Sequence, residues 1–145
     1  MHIIAHRGLI NGPDKDKENS PTQIDQALSL GFDAEIDLWV VNDKFFLGHD
    51  EPQYEISQEY LNNDKFWIHA KNLAALEWLT KNGEHLNFFW HDVDAYIITS
   101  KKYIWTVNQE EYTDNTVIVI PEYPRTDKEF SCFGICCDYA GEILA

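Results

Sequence analysis

Positive charge is scarce in this chain: Lys and Arg number 11 against 25 Asp and Glu over 145 residues, a formal net charge of −14. That balance argues against a nucleic-acid backbone or an anionic membrane as a general partner, since both are bound through many cations. An anionic ligand must instead be caught by a few local ones. Cysteine is sparse too. Its three copies, Cys132, Cys136 and Cys137, are odd in number and lack the paired spacing of a zinc site, which leaves them as buried or free thiols. No long apolar run occurs, and Met1-His2-Ile3-Ile4-Ala5 has no basic segment leading into one, so the reading is a cytoplasmic chain without signal peptide or membrane anchor. Internal repeats, low-complexity stretches and linkers are missing as well, and the length suits one domain over 1–145.

What the chain does contain is short apolar runs with polar punctuation. β-Branched and aromatic residues mark candidate strands at His2–Ala5, Ala34–Val41, Phe45–Leu47, Phe66–Ala70, Asn87–Trp90, Tyr96–Ile98, Tyr103–Val107, Val117–Ile120 and Gly134–Cys137. Asn42-Asp43 is a hairpin signal between the second and third of these. Only two helices carry convincing signals. One starts at Pro21 behind the N-cap Ser20, with Gln23 completing a capping box, Ile24, Ala27 and Leu28 as the apolar stripe and Gly31 as the stop. The other follows Asn72, carries Leu73, Leu76 and Leu79 beside Trp78, and ends at Gly83. Between Trp90 and Tyr96, and between Thr99 and Tyr103, too few residues remain for a crossover helix.

Strand, helix, strand, with charged residues after each strand, predicts an α/β fold: a compact or degenerate TIM-like (β/α) barrel with its site at the C-terminal rim. A full barrel typically needs about 250 residues, so several helices must be reduced to loops. Outer strand faces left bare in this way predict self-association into a homo-oligomer. A five-stranded open sheet is the structural alternative.

Four clusters bear chemistry: His6-Arg7-Gly8, Glu18-Asn19-Ser20, Glu35-Ile36-Asp37 and His49-Asp50. Glu35 and Asp37, two apart on a strand, leave the same face while Ala34, Ile36 and Leu38 leave the other. Two converging carboxylates repel unless a cation neutralises them, and a hard divalent ion is the natural partner; a solvated strand face is the alternative. Gly8 permits a sharp turn after the first strand, Arg7 offers a bidentate fork for phosphate, and His6 with His49 supplies the pair that general acid and base chemistry requires. Either histidine alone reads equally well as structural.

Together these residues resemble the glycerophosphodiester phosphodiesterase family of phospholipase-C-like barrels. That family opens with a strand ending in His-Arg-Gly, then Glu-Asn-Thr or Ser before the first helix, Glu-x-Asp on the second strand and His-Asp after a hairpin. The match covers roughly the first third of the chain, in order and spacing. Trp105-Thr106-Val107-Asn108 and Gly134-Ile135-Cys136-Cys137-Asp138-Tyr139 look like the family's late strands.

The resemblance implies a metal-dependent phosphodiester hydrolase acting on a glycerophosphodiester or a related sugar or glycerol phosphodiester. It implies His6 and His49 as acid and base, Arg7 and Lys71 as phosphate clamps, and Glu35 and Asp37 as ligands of a divalent ion, Mg or Ca in that family. The third strand departs from the pattern: in Trp67-Ile68-His69-Ala70-Lys71 the lysine is kept, but histidine replaces the expected glutamate. His69 as ligand favours Mn or Zn. Glu18 would orient Arg7 or the metal-bound groups, and His91 and Trp105 would contact substrate from the rim, a structural His-Asp hydrogen bond being the other reading of His91-Asp92. A hydroxyl neighbouring the phosphate would attack, giving a cyclic phosphate that water then opens. A lyase releasing that cyclic phosphate and a non-catalytic phosphosugar-binding module are the alternatives. The segments around 69–72, 88–91 and 99–105 also look like small phosphodiesterase-like proteins that accompany bacterial surface-polysaccharide genes.

Overall fold

The computed structural model describes residues 1–144. Its elements in chain order are β1 (His2–His6), α1 (Pro21–Ser29), β2 (Asp33–Val41), β3 (Lys44–Leu47), β4 (Tyr54–Ile56), β5 (Phe66–Ala70), α2 (Leu73–Asn82), β6 (Phe88–Phe89), β7 (Tyr96–Ile98), β8 (Ile104–Thr106), β9 (Thr116–Val119) and β10 (Gly134–Cys137). Short 3-10 turns cover Gln58–Leu61 and Ala140–Leu144.

This is a mixed α/β fold on one ten-stranded sheet. Eight strands follow the path β6–β5–β2–β1–β10–β9–β8–β7, with every neighbour parallel except β7, which runs antiparallel to β8. The C-terminal half of β2 continues into an antiparallel ribbon with β3 and β4. Its turn is Asn42-Asp43, both at positive φ (51° and 61°), the backbone that a two-residue hairpin turn of primed type needs.

The path is curled, because strands far apart along it touch through their inner faces. Ile4, Trp67, Phe89, Trp105, Val117 and Cys136, from β1, β5, β6, β8, β9 and β10, form one buried cluster. Trp67 and Trp105 have ring centroids 5.8 Å apart, and Phe89 and Trp105 4.5 Å. No strand ladder closes the curl between β6 and β7. Instead, Ser100 bridges the margin: its N–H donates to the Phe88 carbonyl (2.7 Å), its hydroxyl accepts from the Phe88 N–H (2.8 Å), and that hydroxyl donates to the Leu86 carbonyl (3.0 Å).

The outer faces pack separately. Ala34, Ile36 and Leu38 of β2 join Ile68, Leu47 and α2 in one core, while Ala5, Ile118 and Ile135 join Ala27 of α1 and the C-terminal 3-10 turn in another. Loops thus cover much of the outer surface expected to be bare. Tyr96 and Ile98 on β7 remain exposed.

Both helices form where their caps predict, with differences in detail. Ser20 Oγ accepts from Gln23 N–H, but the Gln23 amide does not reach back to complete a capping box; it donates to the Gly8 carbonyl at 3.0 Å and ties α1 to the turn after β1. Asn72 Oδ1 caps α2 through Ala75 N–H and also accepts from Val40 N–H, while its NH2 donates to the Val40 carbonyl. Leu73, expected in the apolar stripe of α2, is 73% exposed, because the helix buries Ala75 and Leu79 instead. Strand β4 and the two 3-10 turns are too short to show a period in the sequence.

Candidate functional site

Strand periodicity builds the site directly on the interior cluster. Two residues beyond an inward apolar residue, on the same strand face, comes a residue at the C-terminal end: His6 after Ile4, His69 after Trp67, Val107 after Trp105, Val119 after Val117, Asp138 after Cys136. With Glu35, Asp37, Arg7, His49, Phe89, Trp105 and His91, these strand-end residues other than Asp138 line one cavity of about 120 Å³.

The first turn explains its own sequence. Arg7 has φ 57° and Gly8 φ 76°, and a Cβ on Gly8 would meet Ile24 at 2.9 Å, so the position admits only glycine without displacing α1. Left-handed backbone at a non-glycine residue is costly and marks places where geometry is imposed by the surroundings. Here it aims the Arg7 N–H at Glu35 Oε1 (3.1 Å) and swings the guanidinium inward, where Nη1 donates to Glu18 Oε2 (2.8 Å) and Nη2 to His49 Nε2 (3.2 Å). Gly48 plays the matching part for His49, since a Cβ there would collide with the Glu51 carbonyl.

His6 Nδ1 and Asp138 Oδ1 are 2.8 Å apart. A carboxylate accepts only, so Nδ1 carries the proton and Nε2 keeps its lone pair toward the cavity, 4.0 Å from Glu35. On the far side of the carboxylates, His69 Nε2 lies 3.3 Å from the His91 carbonyl and Nδ1 lies 3.1 Å from Asp37 Oδ1 and 3.8 Å from Glu35 Oε2. Donation of Nε2–H to that carbonyl leaves the Nδ1 lone pair facing two carboxylates, an arrangement that a cation between them satisfies.

Asp37 is 1% exposed and rigidly held: Asn19 Nδ2 donates to Oδ2 (2.8 Å) and Asn19 Oδ1 accepts from the Asp37 N–H (3.0 Å). Asn19 itself is fully buried at φ 62°. Burial alone would raise the pKa of Asp37, but the facing imidazoles of His49 and His69 and the Asn19 amide outweigh it and hold this carboxyl well below the usual range. Burial and then the neighbouring Asp37 push Glu35 well above its ordinary value, with Arg7 opposing. Two unlike carboxyls thus share one buried position. His49 Nδ1, 3.6 Å from Asp37 Oδ2, is too far for a hydrogen bond and is buried without a partner.

Donor atoms of Glu35, Asp37 and His69 lie within 4.8 Å of one another, so the residues expected as ligands are brought together and their chemistry, two carboxylates and one imidazole, fits a divalent cation. Glu18 accepts from Arg7, and His91 and Trp105 line the cavity. No His91–Asp92 hydrogen bond occurs among the described residues; the His91 Nδ1 is buried and unpartnered. Lys71 is the exception. It is half-buried beyond the end of β5, where its N–H continues the ladder to the Leu38 carbonyl (2.8 Å), and it does not line the cavity that was to receive its ammonium group. The strand ends at Ala70 to reach the Asn72 cap, so the face that carries His69 does not continue to Lys71.

Asn19 lies between Glu18 and the cap Ser20, and no local sequence signal marks its contact with Asp37. Phe89, Val107 and Val119 had no polar signal to mark them. The three cysteines are free; Cys136 and Cys137 are buried, with burial pushing the Cys137 thiol up to about 12. No helix among the described residues is long and apolar enough to cross a membrane. Set against known protein families, curated proteins and solved structures, the chain matches none.

Proposed function

We propose that this protein is a metal-dependent phosphodiester hydrolase of glycerophosphodiesterase type, a compact relative of the (β/α) barrels with most helices replaced by loops. One observation carries the reading. His6, its Nδ1 committed to Asp138, stands beside the Glu35–Asp37–His69 cluster on one wall of a small cavity, its Nε2 4.0 Å from Glu35, and Arg7 lines the same cavity.

A divalent cation bound by Glu35, Asp37 and His69 would supply Lewis-acid stabilisation of charge on a phosphoryl oxygen. The remaining work falls to the chain's own groups. Arg7 is the cation poised for phosphate; when a phosphate oxygen takes its Nη2, His49 Nε2 is released from it. His6 Nε2 takes the proton of the attacking hydroxyl as the new P–O bond forms, with Asp138 bearing the resulting imidazolium. His49, protonated at Nε2 once that atom is free of Arg7, gives this proton to the departing alcohol as the old P–O bond breaks. Glu18 keeps Arg7 extended into the cavity. The nucleophile is a substrate hydroxyl beside the phosphate, giving a cyclic phosphate that water opens with the roles reversed, His49 taking the proton of water and His6 returning its own to the substrate oxygen as the ring P–O bond breaks.

The test is hydrolysis of bis(p-nitrophenyl) phosphate and glycerophosphodiesters by metal-stripped protein with Mg, Ca, Mn and Zn restored in turn, beside His6→Ala and His49→Ala. Metal-dependent turnover lost in both variants is expected; turnover retained in both overturns the assignment. Phosphorus NMR separates a hydrolase from a lyase that stops at the cyclic product. Phosphate-ester binding without turnover under any metal would mark a binding module. Exposed Tyr96 and Ile98 on β7 offer a face for self-association, which sedimentation would reveal.

A further inference from the structure

The curled sheet has a second mouth. The strand-end site lies at the C-terminal ends of the parallel strands, and the cluster around Trp67 and Trp105 fills the interior. At the N-terminal ends of the same strands lies a larger cavity of about 330 Å³ that shares no lining residue with the first. Its lining comes from the opening residues of β1 and β2, His2 and Asp33, and from Asn87, Tyr103 and Phe133 just ahead of β6, β8 and β10.

One part of this lining is aromatic. Phe133 stacks on His2 with centroids 4.5 Å apart and 11° between planes, and Tyr103 packs against both Phe133 (4.4 Å) and Trp67 (5.1 Å). Tyr103 and Phe133 are only half-buried, so their rings are open to a ligand.

The polar part is rich in acceptors. Asp33 Oδ2 accepts from the Trp67 indole (3.0 Å) and lies 3.6 Å from His2 Nδ1, while no hydrogen bond among the described residues engages its Oδ1. Asn87 Oδ1 is buried without a hydrogen-bond partner, although such atoms ordinarily have one. Asp64 adds a second carboxylate. Nearby donors are already spent: Lys101 Nζ donates to the Glu84 carbonyl (3.3 Å), and His85 Nε2 pairs with Asn62 Oδ1 (2.9 Å). Asp33 and Asp64 together outweigh the charge of Lys101.

An anion is repelled by this lining. A neutral alcohol would satisfy an acceptor but leave the negative charge unanswered. A cation bearing N–H groups answers both, through a charge-assisted hydrogen bond to the carboxylate and attraction to the aromatic faces. We propose that the cavity at the N-terminal end of the sheet binds a small organic ammonium ion, its charged group on Asp33 and its apolar body against Tyr103 and Phe133, with Asn87 Oδ1 free to take a second donor. This site stands apart from the phosphodiesterase reading, because the two cavities have no residue in common.

The experiment measures calorimetric binding of benzylammonium, benzyl alcohol and benzoate to the intact protein, and follows the Trp67 indole N–H by NMR, since that group is bonded to Asp33. Benzylammonium is expected to bind about 10–100-fold tighter than benzyl alcohol, the scale of one hydrogen bond to a charged group, with benzoate not binding and the Trp67 signal moving on addition of the amine. Asp33→Asn keeps an oxygen for the Trp67 indole but removes the charge, and should weaken the amine about tenfold or more at an unchanged melting temperature. The ligand series stands on the wild type alone, so it decides the matter even if that variant unfolds. Benzyl alcohol binding as tightly as the amine, no binding of the amine at millimolar concentration, a Trp67 signal that stays in place, or full affinity in folded Asp33→Asn overturns the proposal.

Discussion

His6 and Asp138 lie 132 positions apart in the chain and 2.8 Å apart in space, Nδ1–H donating to Oδ1. The pairing exists because β1 and β10 are parallel neighbours in register, His2 to Gly134 through Ala5 to Cys137, so that both strands end at the same level and the next inward residues meet. A carboxylate on Nδ1 sets the tautomer of the ring and stabilises its charged form, which makes Asp138 a positioning residue for the proposed base.

Asp138→Asn should therefore keep the fold and lower kcat on the order of 10²–10⁴-fold, as expected when a base loses its correct tautomer. The loss should fall on kcat and leave KM near the wild-type value; full activity would show that the pair is only structural.

Asn19 makes two hydrogen bonds to Asp37 from a fully buried position. Asn19→Ala should weaken binding of the supporting divalent ion about 10–100-fold, the usual cost of removing a residue that orients a ligand. Titration calorimetry with that ion provides the check; equal affinity in wild type and variant counts against the role.

Glu35 gives metal-free stability a definite pH dependence. Its folded pKa lies above the ordinary carboxyl value, so the stability it contributes is complete below about pH 4 and is lost as pH rises through the raised value. Asp37, held low, works the other way and weakens the fold only in acid, as pH falls below the ordinary carboxyl value toward its depressed one. Metal-free Glu35→Gln should accordingly gain on the wild type between pH 5 and pH 8, by up to about 1.4 kcal/mol per pH unit while the buried acid ionises. Urea melts at both pH values would settle the sign. A constant difference would mean that the carboxyl titrates normally.

Ser100 closes the margin between β6 and β7 in place of a strand ladder. Ser100→Ala removes the hydroxyl from the Phe88 N–H at a solvent-accessible site, which should cost about 0.5–1.5 kcal/mol. Hydrogen exchange at Phe88 and its neighbours should speed up more than in β1 or β10, whereas uniform acceleration would show that the clasp is not local.

The two helix starts, the hairpin at Asn42-Asp43 and most strand positions were legible in the chain because each is a local matter of caps, turn residues and period. The placement of Glu35 and Asp37 on one face followed from the same period, and β2 keeps it, with Ala34, Ile36 and Leu38 buried on the other side. Lys71 shows where such reasoning stops: two residues beyond His69 is the same face only while the strand lasts, and the strand gives way to the Asn72 cap.

The amino-acid sequence by itself determined which residues must turn, cap and alternate, and so which charged groups stand at strand ends. Tertiary structure alone decided that Asp138 pairs with His6, that Asn19 holds Asp37 while Lys71 stays off the cavity, and that Phe89, Trp105 and Val119 form the facing wall. Those outcomes depend on strand order and on the curl that brings distant strands to one mouth, and neither is written in any local stretch of the chain.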